Sequence, residues 1–258
     1  MVIWLILNQK SMSKKIIIFL FGLILFLAPL LVSAQKPEDW EPPEKNGTYD
    51  VPGKKNLKVR VFVHNPKPEL LPVLNCTDDN SSTAQVGAAG WKLTSNWSWY
   101  LNISSAPSSI SGNMLTIANN SIKTWQDKLT GKVTFSPLGT TTINRAKLDN
   151  QNIITWGRTS GTALGVTYIW YFPGLAVETD TIMNKKFPWN WSLQCGQYPN
   201  SYDAQNILTH ELGHWVGLND EYDSAVYADH TMYGYGSKGE IKKDTLTTGD
   251  IYGVASIY

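Results

Sequence analysis

The chain has 258 residues, with 22 Lys and Arg against 21 Asp and Glu, for a formal net charge of +1. That balance, with no long run of Lys or Arg, argues against a nucleic-acid-binding surface. A hydrophobic content of 42% over this length suits one globular domain with an extension. Residues 1–34 read as a targeting segment. Lys14 and Lys15 precede an apolar run from Ile16 to Leu31, and Val32-Ser33-Ala34 supplies small residues for cleavage, with Met12 as an alternative start. The rival reading is a retained membrane anchor, because the run is close to the shortest length that spans a bilayer. Cleavage implies a secreted chain without stable membrane association; retention implies anchorage at the cell surface.

Residues 35–56 are rich in Pro, Gly, Lys and Glu and read as an exposed linker. Leu57 to Val63 alternates apolar with polar and predicts a strand, ended by Pro66, Pro68 and Pro72. A Ser/Asp/Gly loop spans 75–90. Residues 35–90 are too short for a dependable core of their own, so they form either a pro-segment or an extension packed on the C-terminal domain. From residue 91 onward the chain suffices for one domain. Trp97 to Ile103 predicts a strand. Ser111 caps a helix to about Leu129, with Met114, Ile117, Ala118, Ile122 and Trp125 on its apolar face. Strands are expected near 132–136, 152–158, 165–172 and 175–182. A helix starts near Asp203, and another is capped by Thr247, with Asp250 in its first turn. The 11 Trp and 12 Tyr are many, but aromatics also build cores and do not by themselves argue for sugar binding.

Residues 210–220 read His-Glu-Leu-Gly-His-Trp-Val-Gly-Leu-Asn-Asp. On a helix, His210 and His214 share one face, four residues apart, and two imidazoles there can bind one zinc ion with a position left open for chemistry. Glu211 is placed to act on water held by that ion. Gly217 lets the chain turn back, which brings Asp220 towards the same ion, although Glu221 and Asp223 are close enough to be the ligand instead. Chance alone produces His-Glu-x-x-His in roughly 0.003 of such chains. The competing reading is a helix carrying two ordinary histidines.

This segment resembles the zinc signature of the metzincin peptidases, with Asp220 where most members carry a third His, as in the snapalysin-type variant. His230-Thr231-Met232-Tyr233-Gly234-Tyr235 resembles the Met-turn, with Met232 beneath the metal, and the tail from Leu246 is similar to the last matrixin helix. The tyrosine directly after Met232 favours a matrixin-like member. The resemblance implies an α+β fold with a twisted mixed five-stranded sheet, an active-site helix and a C-terminal helix over 91–258. It places residues 165–172 at the cleft-facing edge of the sheet, where an extended peptide could be added as a strand; the alternative is a core strand with aromatic neighbours. It implies Zn2+ held by His210, His214 and Asp220, Glu211 as general base, and a structural role for Met232; Tyr233 and Tyr235 read as structural, with transition-state stabilisation the alternative. Structural Ca2+ is a further expectation, with Asp180 a candidate ligand.

Cys76 and Cys195 are the only cysteines and read first as one disulfide in an exported chain. The alternative, from the matrixin resemblance, is latency through Cys76 on the zinc, though the residues around Cys76 lack that family's motif. Sequons begin at Asn46, Asn75, Asn80, Asn96, Asn102, Asn119 and Asn190, consistent with surface glycosylation in a host that performs it. These features lead to a monomeric, secreted zinc endopeptidase acting on protein or peptide. The alternatives are a catalytically silent extracellular binding or adhesion protein on the same scaffold, and a zinc amidase acting on other amides.

Overall fold

The computed structural model describes residues 40–68, 82–159 and 161–258. The signal or anchor segment and Cys76 lie outside the described residues, and the Cys76–Cys195 pairing with them. Among the described residues no helix is long and apolar enough to cross a membrane.

The fold is α+β. Among the described residues eleven strands form in chain order: β1 (Gly47–Asp50), β2 (Lys58–Pro66), β3 (Trp91–Lys92), β4 (Asn96–Leu101), β5 (Thr134–Thr140), β6 (Ile153–Gly157), β7 (Gly165–Phe172), β8 (Gly174–Asn184), β9 (Trp189–Asn190), β10 (Tyr202–Asp203) and β11 (Tyr235–Gly236). The α-helices are α1 (Met114–Gln126), α2 (Ala204–Trp215), α3 (Ser224–Tyr227) and α4 (Thr248–Ala255).

The main sheet has nine strands rather than five, in the order β1-β2-β7-β8-β6-β4-β5, with β11 on β2 and β3 on β8. β8, β6, β4 and β5 run parallel, whereas β7 is antiparallel to both of its neighbours. β7 is therefore not an edge strand. β2 pairs with its outer side over seven residues, from Lys58↔Tyr171 to His64↔Gly165. The alternating run that predicts β2 carries the pairing groups needed to cover that edge.

Side-chain alternation along β7 builds two cores. Ile169 joins the larger cluster on the helix side, whereas Val166, Tyr168 and Trp170 join a smaller one with Val59 and Val61 of β2. α1 buries Met114, Ile117, Ala118, Ser121, Ile122 and Trp125, a single stripe at helical spacing. It starts three residues after Ser111, because a 3-10 turn over Ser111–Asn113 precedes it and no side chain caps it.

α2 is buried on nearly every side. Tryptophan N–H groups pin it: Trp125 donates to Thr209 O at 2.8 Å, Trp91 to His214 O at 3.2 Å, and Trp215 to Thr181 Oγ1 at 3.0 Å. This is one structural use of the abundant indoles, each apolar in body with one polar handle. At the start of α2, Asp203 accepts from Asn206 N at 2.8 Å. Its end is a Schellman turn, with Leu218 N bonding Gly213 O and Gly217 N bonding His214 O. Gly217 has φ +98°, and an added Cβ would collide with Trp91 O, so the turn requires glycine twice over.

Asp180 does not stand free for calcium. Its two oxygens accept from Lys147 N at 3.0 Å and Ile153 N at 3.2 Å. Neighbouring Glu178 accepts from Asp149 N and Asn150 N, so the two carboxyls clasp the 147–153 loop. Burial pushes the Glu178 carboxyl up to about 8 despite those bonds. A carboxyl raised on folding binds its proton more tightly when folded, so its contribution is full below about 4.5 and is lost as pH rises through about 8. Glu178→Gln removes the charge but turns its amide NH2 towards one of the two N–H donors. In urea unfolding, wild type is expected to lose stability as pH rises through about 8, a loss that Glu178→Gln lacks. A difference between the two that is independent of pH would contradict the assignment.

The sequon at Asn102 is unusable for a glycan: the side chain is buried and donates to Ile143 O at 2.8 Å.

Candidate metal centre

His210 and His214 project from one face of α2, and the turn at Gly217 returns the chain so that Asp220 meets them. Asp220 Oδ1 lies 3.1 Å from His210 Nε2 and 3.4 Å from His214 Nε2. Asp220 is the carboxylate that meets both rings. Glu221 instead accepts from Gly87 N at 2.8 Å, and Asp223 caps α3 through Ala225 N at 2.9 Å.

The other ring nitrogens fix the tautomers. His210 Nδ1 lies 2.7 Å from Thr231 O and His214 Nδ1 lies 2.9 Å from Leu218 O. A carbonyl only accepts, so each Nδ1 carries a hydrogen, and in the neutral ring Nε2 then presents a lone pair. Burial first, and then Lys243, push the His210 imidazole down to about 3, which keeps it neutral. Two lone pairs and a carboxylate oxygen thus converge, all buried and none with a hydrogen-bond partner. Such an arrangement is costly unless a cation sits among the three atoms. The two separations, 3.1 and 3.4 Å, lie close to the edge of a tetrahedron with bonds of about 2.0–2.2 Å, which is roughly 3.3–3.6 Å, the first slightly short of it. His210, His214 and Asp220 form a group able to hold a metal ion.

Glu211 is fully buried beside them. Its Oε2 accepts from Thr167 Oγ1 at 2.5 Å, and its Oε1 lies 3.2 Å from His64 Nδ1. Burial pushes its carboxyl up to about 7. That value suits a group that must take and give a proton near neutral pH.

Several residues behind the ligands have no counterpart among those expected from sequence. Lys243 is buried, donates to Tyr233 O and to Thr231 O at 3.3 Å, and so fixes the carbonyl that orients His210. Burial pushes its ammonium down to about 8. Tyr222 donates to Asp220 Oδ2 at 3.1 Å and holds the outer oxygen. Met232 is buried against α2, and a Cβ on Gly213 would collide with its Sδ. The turn carrying Met232 is tied to the last helix through Asp250, which accepts from Thr231 N and Met232 N and closes the capping box of α4 by accepting from Thr247 N. Tyr233 and Tyr235 pack edge-on, with centroids 5.6 Å apart.

Two further residues come from β2. The Phe62 ring stacks on His214 with centroids 3.7 Å apart at 5°, and the His64 ring lies 3.9 Å from His210. Both are buried. One signal was available for His64: it is one of only four histidines, in a strand of alternating pattern. In comparisons with known proteins, the chain matches no family model and no curated sequence.

Proposed function

We propose that this chain is a secreted zinc-dependent endopeptidase of the metzincin type. The observation that carries this reading is the convergence of His210 Nε2, His214 Nε2 and Asp220 Oδ1, buried and without hydrogen-bond partners, next to a buried glutamate that follows the first histidine. Two imidazoles and one carboxylate are a donor set that suits zinc. A zinc ion held by His210, His214 and Asp220 would supply Lewis acidity and make water acidic enough to attack near neutral pH. Glu211 takes the proton of the attacking water and returns it to the departing amine. Thr167 holds one Glu211 oxygen in place. Thr231 O and Leu218 O keep both histidines in the ligating tautomer, and Lys243 steadies the first of these carbonyls.

Cleavage of unfolded casein, stopped by a chelator and restored by zinc, is the expected result. It is best sought in wild type and in a Phe62→Ala/His64→Ala chain, since both rings cover the ligands. Zinc bound stoichiometrically with no cleavage in either chain would favour the silent binding protein. Cleavage of small non-peptide amides alone would favour the amidase.

A further inference from the structure

We infer that strand β2 holds the metal centre latent by occupying the place of an extended peptide substrate. This rests on the peptidase reading and adds its regulation. An antiparallel strand laid along β7 is the arrangement in which a sheet edge captures a peptide, and β2 fills it with its own backbone from Lys58 to His64. Side chains two apart on a strand share a face, so Phe62 and His64 point together towards α2. There Phe62 lies flat on one metal ligand, the His64 ring lies over the other, and His64 Nδ1 engages the base.

The consequence is a closed site. His210, His214 and Glu211 have no exposed side-chain surface, and Asp220 retains 4%. Both Glu211 oxygens are engaged within the chain, leaving none aimed at an incoming water. The opposite face of β2 is anchored by Val59 and Val61 in the smaller core, and β1 pairs with the far edge of β2 from Gly47↔Val61 to Asp50↔Lys58. A peptide reaches the ligands only when β2 has left β7. The turnover of the intact chain is then scaled by the small fraction in which the strand is out.

The test is a reversible staple. Lys58 and Tyr171 are opposite residues of the β2–β7 ladder. Such Cα atoms lie about 4.5–5.5 Å apart, within disulfide reach, and neither residue belongs to the metal centre. A Lys58→Cys/Tyr171→Cys chain, zinc-loaded and mapped by mass spectrometry, is compared with wild type and with Phe62→Ala/His64→Ala. Casein cleavage and binding of acetohydroxamate, a small zinc chelator, are both measured. The oxidised staple is expected to abolish cleavage, and reduction to restore it. Phe62→Ala/His64→Ala is expected to cleave at least about tenfold faster than wild type and to bind acetohydroxamate more tightly. Equal cleavage by the oxidised and reduced staple overturns the inference, because β2 then need not move. If the double alanine chain fails to fold, the staple pair, which keeps Phe62 and His64, decides alone. If no form cleaves anything, the peptidase reading fails and acetohydroxamate judges the strand separately. Binding lost in the oxidised staple supports a strand that guards the metal; binding equal in all forms overturns it.

Discussion

Glu211→Gln is expected to keep its zinc and lose turnover by roughly 10²–10⁴-fold, the usual contribution of a positioned general base. The exchange is close to isosteric. The amide oxygen can still accept from Thr167 Oγ1, which lies 2.5 Å from Oε2, so the surroundings need not rearrange. Only the ability to take a proton disappears. Stability at neutral pH should not fall, because burial already pushes the Glu211 carboxyl up to about 7 and charging it there is unfavourable. The comparison belongs in the Phe62→Ala/His64→Ala background as well as in wild type, so that a low rate from covered ligands is not mistaken for a missing base. Rates within tenfold of the parent, with zinc content equal, would mean that another group handles the proton.

Asp220→Asn is expected to weaken metal binding and to lower metal-free stability as well. With a metal, the variant loses the anionic ligand. One ligand of three is about a third of the 10–16 kcal/mol typical of tight zinc sites, which predicts a fall in zinc affinity of roughly 10²–10⁴-fold. Without a metal, burial alone would raise the Asp220 carboxyl, but His214 and then His210 hold it well below its usual range. A carboxyl lowered on folding contributes stability above its unfolded value, and the Asn amide lacks that contribution. The metal-free variant should therefore be less stable than the metal-free parent by about 1–3 kcal/mol in urea unfolding near neutral pH. Zinc that stabilises parent and variant equally would contradict the ligand assignment. Zinc titration and chelator-treated unfolding curves on both chains separate these outcomes.

What was legible in the sequence was mostly local. Asp203 before α2, the glycine turn at 217 and the Thr247–Asp250 capping box each depend on a few neighbouring residues, and all three adopt the conformation that their residue types favour. β7 runs from Gly165 to Phe172 as its apolar, β-branched and aromatic composition predicts. Its neighbours were not legible. Which strand covers an edge depends on pairing between residues about 100 positions apart in sequence, and alternation in β2 says only that it is a strand. The two-residue strands β3, β9, β10 and β11 are too short to show any period.

The site divides in the same way. His210, Glu211, His214 and Asp220 lie within one helix end and its return, so their spacing reveals them together. Phe62, His64, Thr167 and Lys243 reach the same place from three other segments, and no pattern in the chain links them. Asp180 looked free for calcium because sequence does not say which backbone N–H groups a carboxylate will meet.

The most direct test of the account is zinc X-ray absorption on the intact protein loaded with one equivalent of the metal. The account predicts a shell of nitrogen and oxygen alone, at about 2.0–2.2 Å, with the outer scattering of imidazole rings, and loss of that shell on His210→Ala or His214→Ala. A sulfur scatterer at about 2.3 Å, which would place a cysteine on the metal, or failure to retain zinc in the wild-type chain, would contradict it.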